Sequence, residues 1–266
     1  MRQLAAAPGP WLVVAPHMDD ESLGCGMLLA QRDPAQRVHV IFASDGSRSP
    51  PLPPGDDAIE GLVGRRQKEA RLALTELGVA DTAVEFLGFP DGTLDSNSGL
   101  LQSALEARIR ELQPAHVFVP FRYDRHPDHL AVNRAVTGLQ SAQGIQIEVW
   151  EYFVYSQWRL LPSGDVRSHL RHEDLYTTFS ESAAAHKRRA LECHRSQTSL
   201  LSPAQRRPIL TAALLDRVCS EPEALLRQRA DFPGRKVLEA HRWWIPIAHR
   251  LEPVLKRVKD RLFETA

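Results

Sequence analysis

The chain has 266 residues, with 33 Lys and Arg against 33 Asp and Glu, so it is formally neutral at pH 7. With 43% apolar and 25% charged residues it has the make-up of a folded globular protein, which excludes a wholly disordered chain. It carries no long basic run to neutralise phosphates, so nucleic acid is not expected as a partner. Cys25, Cys193 and Cys219 form no C-x-x-C pair, against a disulfide framework and against a thiolate metal site. The first twenty residues lack the apolar core of a signal peptide, and nowhere do 18 apolar residues follow one another. The expectation is a cytoplasmic protein without a spanning helix.

Strands are predicted at 11–15 (WLVVA), 38–43 (VHVIFA), 84–89 (VEFLGF), 116–121 (HVFVPF) and 145–155 (IQIEVWEYFVY), all short runs rich in β-branched and aromatic residues. Between them, 21–33, 60–78, 99–114 and 129–140 repeat apolar residues at three- and four-residue spacing and are predicted as crossover helices. Strict alternation of this kind points to an α/β, Rossmann-like, mostly parallel sheet with helices on both faces. Residues 47–58 hold four prolines and read as an exposed loop, a candidate lid. Further helices are expected near 182–195, 204–218 and 221–230.

The polar residues follow the strands. His17, Asp19 and Asp20 come after the first, Asp45 after the second and Asp91 after the third. Asp124, His126, Asp128 and His129 come after the fourth. In a parallel sheet all four groups meet at the carboxyl edge, where such sheets bind ligands. His17 and Asp20 are three positions apart, close enough to reach one metal ion from a single turn. With one imidazole from the H-P-D-H segment, His129 being the natural choice, they make a three-ligand set with a place left for water. Asp19 then stands beside the ion as a base for that water. A second imidazole, His126, held cationic by a carboxylate such as Asp128, would stabilise an oxyanion and protonate a departing amine. G-x-G-x-x-G is absent, because position 29 is Leu29 where the motif that starts at Gly24 would need Gly. This counts against a Rossmann-like methyltransferase.

The run VVAPHMDDESLGCG, followed by S-D-G at 44–46, resembles the start of the PIG-L or LmbE-like family of zinc-dependent de-N-acetylases. So do R-x-x-E-x-x-x-A-x-x-x-L-G from Arg66 to Gly78, FLGFPDG at 86–92, HPDHLAVNRAV at 126–136 and a weaker echo at 186–197. The resemblance covers about residues 11–155. It implies one Zn2+ per chain, or another divalent ion, at His17, Asp20 and His129. It further implies a general base at Asp19, an oxyanion-stabilising acid at His126 oriented by Asp128, and sugar contacts from Arg66 and Asp91. Met18 stands where the family usually has Pro, a change that removes no ligand.

The expected function is hydrolysis of the N-acetyl group of an N-acetylglucosamine-type conjugate by metal-activated water. The alternatives are an amidase acting on a non-sugar N-acyl compound and a catalytically inactive binding protein of the same fold. A catalytic domain at 1–233 and a helical tail at 234–266 are expected. From Arg235 to Arg261 the tail carries eight Lys or Arg against three acids, an excess of five, around Trp243 and Trp244. That pattern fits either packing on the domain or a peripheral contact with an anionic membrane, where the substrate would be a lipid-linked amino sugar.

Overall fold

The computed structural model describes residues 2–3, 9–50, 56–124, 126–140, 142, 144–154, 159–160, 164–165, 171, 173–201 and 205–229. The tail expected at 234–266 and residues 51–55 of the proline-rich loop lie outside the described residues. The chain divides into a larger unit, residues 1–156 with 172–228, and a smaller one, 157–171 with 229–266. In the smaller unit the described residues include an antiparallel pair, Arg159–Leu160 with Gly164–Asp165 (β7 and β8).

The larger unit is built on one sheet. Its strands are β1 (Arg2–Gln3), β2 (Trp11–Ala15), β3 (Val38–Ser44), β4 (Val84–Phe89), β5 (His116–Pro120), β6 (Glu148–Tyr152), β9 (Leu175–Thr178) and β10 (Glu223–Arg227). Their order is β1-β9-β10-β6-β5-β2-β3-β4. From β4 to β6 every pairing is parallel, and β10 runs antiparallel to both neighbours. The strand order reverses between β2 and β5, which opens a crevice there at the carboxyl edge.

Alternate residues of each strand feed two cores. Trp11, Val13, Val40, Phe42 and Phe118 join one cluster, and Leu12, Val14, Ile41, Val117 and Val119 the other. This is the period-two pattern of a sheet covered on both faces. Residues of α1 (Asp20–Gln31), α2 (Asp56–Glu76), α5 (Glu181–Cys193) and α7 (Ala212–Ser220) pack in the first cluster. Those of α3 (Ser98–Leu112) and α4 (Pro127–Leu139) pack in the second. The short α6 (Arg195–Thr198) follows α5.

One predicted helix is corrected. Residues 221–230 were expected to be helical, yet Glu223–Arg227 is a strand. Its Glu, Ala, Leu and Arg are helix formers, but Leu225 and Leu226 are fully buried between β6 and β9. Burying two such side chains is worth roughly 3–6 kcal/mol, more than the local preference they give up.

Candidate active site

The loops after β2, β3, β4 and β5 bring the expected residues to one place. His17 lies 9% exposed, Asp20 2%, Asp91 5%, Asp128 0% and His129 1%. Asp20 Oδ2 is 3.1 Å from His17 Nδ1 and 3.2 Å from His129 Nε2, and it also accepts the His17 N–H. Donors about 3.3 Å apart are what a tetrahedral ion requires when its bonds are about 2.0–2.1 Å. The imidazoles of His17, His126 and His129 each offer a nitrogen within 4.8 Å of the others. His126 therefore belongs to the same donor cluster, which its sequence position alone does not reveal.

Carboxylates lie against the other nitrogens of the two rings. Asp91 Oδ1 and Asp128 Oδ2 are each 3.2 Å from His17 Nε2, and Asp124 Oδ1 is 3.2 Å from His129 Nδ1. Such partners fix ring orientation and raise the basicity of a ligating imidazole. Four carboxylates thus surround two imidazoles, a negative surplus that a divalent cation would balance. Burial opposes charge on His129, but Asp20 and Asp124 carry its pKa up to about 10. Burial likewise opposes charge on His17, and its hydrogen bonds to the accepting carboxylates of Asp128, Asp20 and Asp91 carry it well above the usual imidazole value. Asp91, despite burial, is held at about 2 by His17. The donor types, their spacing and the surplus charge all fit a divalent metal.

Asp19 leads into α1, yet its carboxylate makes no capping hydrogen bond, unlike most acids at this position. Its φ of 144° is a conformation that L side chains rarely adopt, and strain of that kind collects at functional sites. The Asp19 N–H donates to Glu21 Oε2 at 3.0 Å, which holds the strained residue in place. Burial raises the Asp19 pKa, Arg66 lowers it and Asp20 raises it, with a result of about 6. A carboxylate in that range is ionised at neutral pH and still a competent proton acceptor.

Burial, with the neighbouring His17 and His129, opposes the charge expected on His126 and pushes its pKa down to about 4. Its Nδ1 accepts the Asp128 N–H at 3.3 Å, so its ring proton is on Nε2. The Asp128 carboxylate faces elsewhere, accepting from His17 Nε2 and from the Gly92 and Leu94 N–H groups at 2.7 and 3.1 Å. Arg66 is 2% exposed, and its guanidinium donates to the carbonyls of Met18, Gly46 and Ser49.

Sequence reasoning missed the second ring of support. Glu21 is fully buried and lies 3.5 Å from His194 Nε2. Glu69 accepts the Ser196 N–H and hydroxyl, the latter at 2.6 Å. Gln197 holds Ser49 through both its amide atoms. A signal was available on α2, where Arg66 and Glu69 share the helical stripe of Leu62, Ala70, Ala73, Leu74 and Leu77. Charges on an apolar stripe are buried with partners. The echo at 186–197 supplies one of those partners, Ser196 to Glu69.

Residues 12–139 match the family model for PIG-L, GlcNAc-PI de-N-acetylase. The chain is 34% identical over 129 residues to the uncharacterized deacetylase YaiS of Escherichia coli (strain K12), across 47% of this chain and 64% of that protein. The chain thus spans less than two thirds of that relative. Among solved structures, the A40926 pseudoaglycone deacetylase Dbv21 is 23% identical with a TM-score of 0.60, over 83% of this chain and 98% of Dbv21. The N,N'-diacetylchitobiose deacetylase of Pyrococcus horikoshii is 20% identical with a TM-score of 0.57, over 71% of each chain. At those identities the likeness speaks for the fold.

Proposed function

Because residues 12–139 form a domain of the PIG-L family, we propose that this chain is a metal-dependent hydrolase that removes the acetyl group from an N-acetylglucosamine-type sugar conjugate. The observation that carries the reading is the buried cluster of His17, Asp20 and His129, edged by surplus carboxylates, with Asp19 beside it at a pKa of about 6. A divalent ion held by those three residues, zinc in this reading, would polarise the amide carbonyl and acidify the attacking water to a pKa of roughly 7. Asp19 accepts the proton of that water. Neutral His126 offers its Nε2–H to the oxygen on which charge develops. The departing amine then takes the proton that Asp19 has accepted, which leaves acetate and a free amino sugar. Asp128 acts through its hold on His17 and on the loop at Gly92 and Leu94. Asp91 retains lone pairs beyond its contacts with His17 and the Arg48 N–H, and is the residue assigned to a sugar hydroxyl.

In this reading the enzyme works in the cytoplasm. Its basic tail at 234–266 either packs on the domain or makes a peripheral contact with anionic lipid, the second being a route to a lipid-linked amino sugar. Among the described residues no helix is long and apolar enough to cross a membrane. A second reading, an amidase acting on a non-sugar N-acyl compound, rests on the catalytic residues, which act on the amide and not on a sugar ring. The test is to load the protein with zinc and measure free amine from N-acetylglucosaminides and from N-acyl compounds without a sugar. Release from the sugars that a chelator stops is the expected result. Release confined to the non-sugar amides moves the assignment to the second reading, and no release from either set overturns both.

A further inference from the structure

We propose that Glu21, braced by His194, is a positioning residue for Asp19, an inference that rests on the assignment of Asp19 as base. The Asp19 N–H donates to Glu21 Oε2 at 3.0 Å, and the Asp19 carbonyl accepts the Leu23 N–H at 2.9 Å. The two peptide planes that flank Asp19 are thus fixed, and with them its φ of 144° and the direction in which its side chain leaves the backbone. Only the side-chain torsions then remain to place the carboxylate, which makes no cap bond to α1. A backbone in a rarely populated region persists only where the surrounding structure imposes it. Glu21 imposes it from the N–H side.

An acid in the first turn of a helix ordinarily serves the helix dipole from the surface. Glu21 is instead fully buried, and an acid so placed depends on its partners. Its Oε1 accepts the Ser22 hydroxyl at 2.6 Å and faces His194 Nε2 at 3.5 Å. His194 is 1% exposed, and among the described residues its Nε2 has no other hydrogen-bond partner. The turn that carries it is anchored in its own right. His194 O accepts the Gln197 and Thr198 N–H groups at 2.8 and 2.9 Å, and Ser196 gives its N–H and its hydroxyl to Glu69 of α2. The turn at 194–197 is therefore held on α2, and its imidazole backs the Glu21 carboxylate where that carboxylate meets the Asp19 N–H. This gives the echo at 186–197 a part in the reaction that its distance along the chain from the metal cluster conceals. A base must sit within hydrogen-bond reach of the water it deprotonates, and a misplacement of about 1 Å can lower turnover about 100-fold.

The experiment compares Glu21→Leu and Glu21→Gln with the parent for kcat, KM, bound metal and melting temperature, on an N-acetyl substrate that the parent hydrolyses. Leu offers the Asp19 N–H no acceptor, whereas Gln keeps one. The expected result is a kcat lowered about 100-fold in Glu21→Leu, a smaller loss in Glu21→Gln, and in both a KM within about twofold and metal at the parental level. Parental kcat in Glu21→Leu overturns the proposal and leaves Glu21 a helix cap. Equal losses in the two variants overturn it by tracing the effect to charge, and loss of metal overturns it by placing the hold on Asp20. If Glu21→Leu unfolds below the assay temperature, His194→Leu, which leaves Glu21 in place, is expected to lower kcat with KM and metal unchanged, and parental kcat there overturns the proposal. If the parent hydrolyses no N-acyl compound, the deacetylase reading fails on its own. The positioning is then read from crystal structures of the parent and of whichever of Glu21→Leu and His194→Leu folds, where an unmoved Asp19 carboxylate overturns it.

Discussion

Helix α1 meets buried charge at two places, and the two differ in how that charge is closed. At its first turn, His17, Asp20, Asp91, Asp124, Asp128 and His129 compete for one another's protons, with Asp91 at about 2 and His129 at about 10. At its middle, a single pair enters from outside. Lys187 Nζ donates to Leu23 O at 2.6 Å and to Glu223 Oε2 at 2.8 Å, and Glu223 accepts the Met27 and Leu28 N–H groups at 2.9 and 2.8 Å. Here one cation meets one anion, and the hydrogen-bond partners given above for the pair are otherwise main-chain groups, which do not titrate. The first cluster has negative charge left over and a strained base at its edge; the second has neither. Surplus charge in a buried place calls for a ligand, whereas balanced charge in a buried place fastens elements together.

The largest effect that would sharpen this contrast lies at the first cluster. Asp19→Asn is expected to lower kcat about 1,000-fold while keeping its metal, and His129→Ala is expected to lose metal and activity together. Metal analysis alongside turnover checks both. Metal retained by His129→Ala would remove it from the ligand set.

The middle cluster should respond in stability instead. Lys187→Met leaves Glu223 buried without its cation, for an expected loss of about 3–5 kcal/mol in denaturant unfolding. Metal bound per folded chain should not change. The double variant Lys187→Met with Glu223→Leu is expected to regain part of that loss, although the Met27 and Leu28 N–H groups then lack their acceptor. A metal affinity that falls with Lys187→Met would show that the two clusters are coupled, contrary to their separate construction.

The smallest expected effect tests how closely α1 lies on its neighbours. A Cβ at Gly24 would come within 2.2 Å of the Tyr152 ring, and one at Gly26 within 2.8 Å of Lys187 Cγ. Gly24→Ala is expected to cost about 1–3 kcal/mol through overpacking, measured by the same unfolding curves. An unchanged midpoint would mean that α1 can shift away from β6 without penalty, and the rigid platform assumed for both clusters would be lost. The two glycines of S-L-G-C-G are thus spacers for a ring and a lysine stem. Cys25 between them is buried and packs in the core.

The sequence by itself determined the parallel strands and the carboxyl-edge placement of His17, Asp20, Asp91 and His129, because strand period and residue order are local properties that a parallel sheet converts directly into position. It also showed Asp19 beside that group. Only the tertiary structure decided that Glu223–Arg227 is a strand, since its helix-forming residues yield to burial between β6 and β9. Only the fold turned Arg66 inward and gave the Asp128 carboxylate to His17 in preference to its near neighbour His126. Only the fold, too, set the protonation of His126, through burial and through rings brought from another loop. Hydrogen-bond partners and charge states depend on groups far apart in the chain, as with Glu69 and Ser196 or Lys187 and Glu223, and spacing along the sequence carries no record of which distant atoms will meet.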